Sequence, residues 1–122
     1  MDNVIFTHVE FLQHKFFPHD KVVVPAHNHH CFELNYVLNG NFIAESKGEK
    51  YECSKNTVLI FPPNVYHSHD SKSTFEVIYM GFYYNNLFGP IKQIQFDDKD
   101  EKILHILKKM ESEFNNSDYY YE

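Results

Sequence analysis

The stretch from His27 to Gly40 reads HNHHCFELNYVLNG, and its histidines, cysteine and glutamate lead into a run of strand-forming residues. Side chains on a β-strand point alternately to its two faces. Alternation predicts a strand that presents two imidazoles and a carboxylate on one side and large apolar groups on the other. The first face comprises His27, His29, Cys31, Glu33, Asn35 and Val37, and the second comprises Phe32, Leu34, Tyr36 and Leu38.

The imidazoles and the carboxylate on the first face have two interpretations. Divalent first-row metals accept both ligand types, and the segment VYHSHD supplies His67 and His69 from another strand. Three histidines and one glutamate would leave coordination positions open, as a catalytic or exchangeable metal site requires. In the alternative, the apolar face packs on the core and the polar face meets water. Alternation alone favours this alternative, whereas the clustered histidine spacing favours a site.

Short runs rich in Val, Ile, Phe and Tyr, each closed by Gly, Pro, Asn or Ser, fill the chain from Val4 to Tyr84. This succession of short strand-forming runs and turn residues predicts an all-β sandwich or barrel. Asn39-Gly40 predicts a hairpin turn between FELNYVL and NFIAES, and Lys47-Gly48 predicts a second tight turn. The PPN run at 62–64 ends a further strand, because proline cannot donate to a β-ladder.

The pattern changes after Pro90, where an amphipathic helix is predicted from Lys99 to Asn116. Apolar residues recur there at spacings of three and four, and Asp98 with Glu101 forms a candidate capping pair. The apolar stripe packs either on the chain's own barrel or on a second copy in a dimer. This stripe comprises Ile103, Ile106, Leu107, Met110 and Phe114.

Composition limits the classes of function. A chain of 122 residues suits one domain. With a net charge of −6 and no arginine, this segment by itself should not bind nucleic acid. The segment Met1–Phe17 lacks a continuous apolar core, so neither a signal peptide nor a membrane span is predicted. We expect a cytoplasmic protein without membrane contact, in which Cys31 and Cys53 are free thiols.

The histidine-rich segment resembles the first motif of the cupin family. That motif carries HxH, three residues, Glu, six residues and Gly, and His27-Asn28-His29, Glu33 and Gly40 reproduce its spacing without a gap. Lys21 stands where the motif usually opens with glycine. The match therefore covers the ligand-bearing part of the motif.

The second cupin motif runs Gly, five residues, PxG, two residues and His. Asn56, Pro62-Pro63-Asn64 and His67 match it in register, and Ser71 stands at its closing Asn. Both glycines are thus replaced by asparagine, the other residue that best tolerates the left-handed backbone region. We expect both turns to persist.

Within the cupins, the chain most resembles the amino-terminal sensing domain of AraC-type transcription regulators. The shared order is an HxH strand leading into CFELNYVLNG, then LIFPPNVYH, the aromatic strand IYMGFYYNNLF and a charged amphipathic helix. The resemblance spans about His27 to Phe114. It implies a mainly β fold, a double-stranded β-helix or jelly-roll barrel, followed by a carboxy-terminal amphipathic α-helix.

The resemblance also implies an organisation and a function. It places the barrel sensing domain at 1–96, the helix and possible dimerisation element at 97–116, and a linker or tail at 117–122. It implies a small-molecule effector, with a sugar among the candidates, a homodimer and no catalysis. The family's DNA-binding domain, two helix-turn-helix units, is missing from this chain, so DNA would be contacted only through that missing domain.

Under the barrel interpretation, the polar side chains of the motifs project into the lumen, where they line an effector pocket. A metal on the cupin ligand set His27, His29, Glu33 and His67 would be Zn, Ni, Mn or Fe. Two interpretations from other classes stay open, a small metal-dependent cupin enzyme such as a dioxygenase or isomerase, and a stand-alone sugar- or metabolite-binding cupin. The predicted pocket residues are His27, His29, Glu33, Asn35, His67, His69 and Tyr79.

Overall fold

The structure is a computed structural model that describes residues 8–17, 22–71, 73–85 and 89–116, without the side chains of 22–27, 115 and 116. The linker predicted at 117–122 lies outside the described residues. In the described part, eight strands precede one helix, which confirms the mainly β class. The elements are β1 (His8–Phe17), β2 (Val22–His27), β3 (Phe32–Ser46), β4 (Glu49–Ser54), β5 (Thr57–Phe61), β6 (His67–Ser71), β7 (Phe75–Tyr83), β8 (Ile94–Asp97) and α1 (Lys102–Asn116).

Two antiparallel sheets share the long strand β3. The first sheet has the order β1-β7-β3-β5-β8, and the second joins β2, β6, β3 and β4. The first half of β3 pairs with β5 and β7 through Phe32 to Val37, and the second half pairs with β4 and β6 through Asn41 to Ser46. A strand that passes from one sheet to the other closes the two sheets into a barrel-like sandwich.

The hairpin predicted at Asn39-Gly40 is wrong, because β3 runs through both residues without turning. A type I′ turn requires positive φ at both central residues, and here only Gly40 has it, at 78°. The pairing of β3 with β7 shifts register between Val37 and Asn39. A glycine with positive φ next to a register shift is typical of a β-bulge, which bends the strand into the second sheet.

The other turns agree with the sequence predictions. Lys47 and Gly48 both have positive φ, at 54° and 78°, and join β3 to β4. Asn56 and Asn64, which replace the two motif glycines, adopt φ values of 72° and 65°. Asparagine therefore supplies the left-handed conformation at both positions, as expected.

Both faces of the first half of β3 are buried, which excludes the alternative in which the polar face meets water. Glu33 and Asn35 are 3% and 0% exposed. Their face points between the two sheets, into a cluster that includes Phe42, Phe61 and Phe75. The opposite face packs in a second cluster that includes Leu107 of α1. The helix thus covers the outside of the first sheet and leaves the barrel interior as the place for the polar side chains.

The helix begins at Lys102, three residues after the predicted start at Lys99. Glu101 has a φ of 58°, which is incompatible with a helical residue. Asp98 still caps the helix, since its Oδ1 accepts from the Ile103 amide at 3.2 Å and its Oδ2 from the Leu104 amide at 3.0 Å. Glu101 does not complete a capping pair with Asp98 through its side chain and instead accepts a hydrogen bond from Asn56.

The apolar stripe of α1 packs mainly on the chain's own barrel. Leu107 is buried, and Ile103 and Met110 pack against the same cluster. Phe114 lies beside Met110 and Val9, whereas Ile106 is 55% exposed. Ile106 is therefore not part of the packed stripe, and Leu104 joins it instead. Among the described residues, no helix has the length and apolar content needed to cross a membrane.

Candidate functional site

Three polar side chains converge inside the barrel from three parts of the chain. His29 lies in the segment between β2 and β3, Glu33 lies on β3, and His67 opens β6. The amide of Asn64 donates to the His29 carbonyl at 2.7 Å, so the turn before β6 is tied to the segment that carries His29. The PPN turn thereby brings the second motif against the first, as the sequence analysis expects.

The centre of the group is the Glu33 carboxylate. Its Oε1 lies 2.9 Å from His67 Nε2 and 3.1 Å from His29 Nε2. One ligand atom from each of the three residues lies within 4.8 Å of the others. Glu33 and His67 are buried, and the side chain of His29 is 34% exposed. The group therefore has a closed inner side and an open side at His29.

The charge of Glu33 is maintained despite its burial. Burial alone would raise the pKa of its carboxyl, but the hydrogen bond from His67 and the charges of His67, His29 and His69 outweigh burial and lower the pKa. The carboxylate is therefore ionised at neutral pH. An ionised carboxylate accepts hydrogen bonds from a ligand or binds a cation.

The ring of His67 is fixed on both sides. Its Nδ1 lies 3.0 Å from the Val65 carbonyl, which can only accept, so this nitrogen carries a hydrogen. The ring also stacks on Phe61, with centroids 4.0 Å apart. Metal-ligating histidines commonly donate their other ring N–H to a backbone carbonyl, as His67 Nδ1 does here. His67 Nε2 is thus aimed at the point shared with Glu33 and His29, and the three residues fit a divalent metal by donor type and position.

A second layer of polar side chains lies beside this group. Tyr79 Oη lies 3.5 Å from His69 Nδ1, and the pKa of Tyr79 is raised by burial and by the charge of Glu33, so its hydroxyl stays neutral. Asn35 Nδ2 donates to the Leu59 carbonyl at 3.3 Å, and no group of the described residues bonds its Oδ1. His69 and Asn35 therefore extend the polar surface of the lumen beyond Glu33.

A cavity of about 490 Å³ opens beside the group. Its volume suits a small organic molecule, for which typical pockets measure roughly 300–1,000 Å³. Aromatic rings and hydrogen-bonding groups both contribute to its wall. The residues that line it are Glu10, Phe11, Gln13, Lys15, Phe17, His29, His30, Cys31, Glu33 and Tyr79.

Half of this lining comes from β1, a strand for which the sequence predicts no part in the site. Alternate residues of β1, from Phe11 to Phe17, face the cavity. Alternation along the strand could have indicated these cavity-lining residues. However, each face of FLQHKFF carries both polar and apolar side chains, and the segment matches no motif. Cys31 also lines the cavity. Its burial, and to a smaller extent the charges of Glu10 and Glu33, raise the pKa of its thiol.

Of the predicted pocket residues, His29, Glu33 and Tyr79 line the cavity, whereas Asn35, His67 and His69 are buried and do not line it. The side chain of His27 lies outside the described residues. Its backbone pairs with His67 in the ladder between β2 and β6. Among the described residues, the candidate metal-binding group therefore has three members, and the place of His27 in it stays a prediction.

The comparison with protein families agrees with this geometry. The model of the AraC-like ligand binding domain matches residues 11–112. The chain belongs to the AraC-like ligand-binding domain family. No curated protein matches the chain.

Solved structures similar to this AraC-like domain include cupins, which confirms the predicted fold. A cupin superfamily protein from Desulfitobacterium hafniense has a TM-score of 0.55 at 15% identity, over 67% of this chain and 84% of that one. Salicylate 1,2-dioxygenase from Pseudoaminobacter salicylatoxidans has a TM-score of 0.53 at 15% identity, over 67% of this chain and 28% of that one. A conserved protein of unknown function from Streptococcus pyogenes has a TM-score of 0.54 at 12% identity, over 59% and 64%. The chain thus spans less than two thirds of two of these three proteins.

Gly81 on β7 makes room for Phe11, an aromatic wall of the AraC-like domain's cavity. A Cβ at Gly81 would lie 2.2 Å from the Phe11 ring. We expect Gly81→Ala to displace this ring and to cost about 2 kcal/mol of unfolding free energy, typical of overpacking. Urea denaturation measures this cost. The double variant Gly81→Ala/Phe11→Leu should recover part of the loss, and equal stability of the single and double variants would contradict the close contact.

Proposed function

We propose that this chain is the effector-sensing domain of an AraC-type transcription regulator and that a small organic molecule binds in the barrel cavity. The observation that carries the proposal is the cavity of about 490 Å³ beside a buried, ionised Glu33. A family match to a ligand-binding domain supports the same function. Binding then requires no reaction, and the domain acts by shifting the population of two arrangements of the regulator.

The cavity wall supports a polar metabolite with an apolar portion as the effector. Phe11, Phe17 and Tyr79 offer aromatic faces, on which an apolar ring or chain packs. Glu33 and His29 offer hydrogen-bonding groups at the inner end, with Gln13 at the wall. A sugar, which has hydroxyl groups around an apolar ring face, fits this description and is the first class to test.

Dimerisation and DNA contact belong to the same proposal. The predicted dimerisation stripe contributes mostly to the barrel contact, and Ile106 is its exposed member. DNA would be bound by a separate, basic domain, because this segment carries a charge of −6. The division at 96 and 97 and a cytoplasmic location stay predictions. A reading frame that continues past Glu122 into a domain rich in Lys and Arg would support the regulator, and a stop codon there would contradict it.

The effector proposal is tested by a thermal-shift screen with sugars, organic acids and amines. We expect at least one compound to raise the melting temperature of the wild-type chain, because a ligand that binds only the folded state stabilises it. Glu33→Gln keeps the shape of the buried side chain but removes its charge and should abolish this increase. Glu113→Gln changes an exposed carboxylate of α1, outside the cavity, and should keep it. An equal increase in wild type and Glu33→Gln would contradict the proposed site.

A metal-dependent cupin enzyme is a second candidate, and the convergence of His29, Glu33 and His67 within 4.8 Å favours it. These three residues would hold the ion, with His27 as a predicted fourth ligand. A divalent ion there would supply Lewis-acid activation of a substrate or water. In this chain, His67 is held by Phe61 and the Val65 carbonyl, and the open side at His29 gives access from the cavity.

We expect the wild-type chain, purified without a metal column and dialysed against Zn²⁺ or Ni²⁺, to retain about one ion per chain if this candidate holds. Elemental mass spectrometry measures the ratio. His67→Ala removes a buried donor and should reduce retention at least tenfold, because loss of even a partner that only orients a ligand typically costs about 10- to 100-fold in metal affinity. His30→Ala removes a neighbouring imidazole outside the group and should retain the ion. Equal retention in wild type and His67→Ala would eliminate the metal candidate and leave the organic effector proposal intact.

A further inference from the structure

His14 lies on β1 and contacts two carboxylates from different elements. Its Nε2 is 2.5 Å from Glu76 Oε2 on β7, and its Nδ1 is 2.8 Å from Glu111 Oε2 on α1. These are opposite sides of one imidazole ring, so the contacts do not share a single point and do not resemble a metal site. They form a bridge between the first sheet and the helix that covers it.

The bridge belongs to a longer chain of polar contacts. Asn39 of β3 donates through its Nδ2 to Glu76 Oε1 at 2.9 Å. Lys108 Nζ lies 3.6 Å from Glu111 Oε1 on the same helix. The charged groups that face His14 are therefore Glu76 from β7 and Glu111, with its neighbour Lys108, from α1. The hydrogen bonds from Asn39 and His14 lower the pKa of Glu76, which keeps that carboxylate ionised.

Both contacts of His14 require a particular protonation state. A carboxylate only accepts hydrogen bonds, so each ring nitrogen must carry a hydrogen to donate. Neutral imidazole carries one hydrogen, and its second nitrogen would present a lone pair to a carboxylate. The bridge is therefore complete only when the ring is a cation. Histidine is the side chain whose charge ordinarily changes between about pH 5 and 8.

The position of β1 gives the bridge a mechanical consequence. Phe11, Gln13, Lys15 and Phe17 of this strand line the cavity. Leu12 packs in the cluster beneath α1, and His14 contacts the helix itself. One strand thus forms the cavity wall on one side and holds the helix on the other, and in the described part of the chain β1 pairs with β7 alone.

We propose that His14 is a protonation-dependent clamp, which holds α1 against the β1–β7 face when the ring is charged and weakens this contact when the ring is neutral. Deprotonation of the ring removes one of the two hydrogen bonds and loosens α1. Acidification restores the bridge until the carboxylates themselves become protonated. This inference goes beyond the proposed effector function and does not depend on it.

The test is a pH titration of the full 122-residue chain by ¹⁵N–¹H NMR from about pH 5.5 to about 8.5. We expect amide signals of α1 near Glu111 to shift with the same midpoint as the His14 ring. Amide protection in α1, corrected for intrinsic exchange, should fall about fivefold across this range, the effect of one partly exposed ion pair at the upper end of measured values.

Variants separate the clamp from a general effect of pH. His14→Gln should abolish the titration of the α1 amides near Glu111, and Glu111→Gln should abolish it even if the first variant folds poorly. His105→Gln removes an exposed histidine of the same helix that lies outside the bridge, and it should keep the titration. Amides near Glu111 that do not follow the His14 ring, or an unchanged titration of these amides in Glu111→Gln, would overturn the proposal.

Discussion

Gly40→Ala should destabilise the protein by about 4 kcal/mol or prevent folding altogether. A Cβ at Gly40 would lie 2.2 Å from the Thr74 carbonyl oxygen and 2.7 Å from Phe75 Cα. Both are backbone atoms, one in the first residue of β7 and the other in the residue just before it, so neither can move aside without a shift of the main chain. The φ of 78° adds the strain of a left-handed conformation to this clash.

Gly48→Ala is the matched control, because Gly48 has the same φ of 78° but nothing within 4 Å of the added Cβ. It should cost about 1 kcal/mol, the strain of the left-handed region alone. Denaturant unfolding of both variants measures the difference. Equal losses would show that Gly40 matters only for its backbone conformation and would contradict its role as the close-packed bend between the two sheets.

Asp98→Ala should cost about 3 kcal/mol, because one carboxylate joins the barrel to the start of the helix. Tyr36, which is fully buried, donates from its hydroxyl to Asp98 Oδ2 at 2.6 Å. The same carboxylate accepts the amides of Ile103 and Leu104. Tyr36→Phe removes one of these bonds and should cost about 1.5 kcal/mol. A double-mutant cycle by urea unfolding measures their coupling, and purely additive losses would contradict a shared network.

This network also predicts a pH dependence. Burial would raise the pKa of Asp98, but the Tyr36 hydroxyl and the helix amides outweigh it and lower the pKa below its ordinary value. A lowered folded-state pKa means that this stabilisation is present above the ordinary aspartate pKa of about 3.9 and is lost as the pH falls below it. Wild type should therefore lose more stability than Asp98→Asn between about pH 5 and 3, by chemical denaturation.

The sequence predicted the architecture well where local patterns and motifs agree. The strands after Gly48, the left-handed asparagines and the barrel followed by a helix are confirmed. The hairpin predicted at Asn39-Gly40 is wrong because a glycine with positive φ occurs in β-bulges as well as in tight turns. Only the pairing partner β7, far along the chain, decides between them. Strand β8 was missed for a similar reason, since IQFD has four residues and, within the described part of the chain, pairs with β5 alone.

The sequence could indicate the histidines and the glutamate of the candidate site, because the two motifs fix their spacing at the start of β3 and at the start of β6. The contribution of β1 was not, because its cavity-lining residues have no motif and their role depends on a pairing with β7. His14 illustrates the same limit. Folding places this partly exposed residue between carboxylates that are 62 and 97 residues away along the chain, a contact that no local spacing in the sequence indicates.

The most direct test of the effector site is NMR mapping of the first compound that stabilises the protein in the thermal-shift screen. The account predicts that saturating ligand changes the amide signals around Phe11, His29, Glu33 and Tyr79 and leaves those around Ile94 and Phe96 of β8 unchanged. Changes confined to α1 or β8, with the cavity residues unaffected, would contradict binding in the barrel.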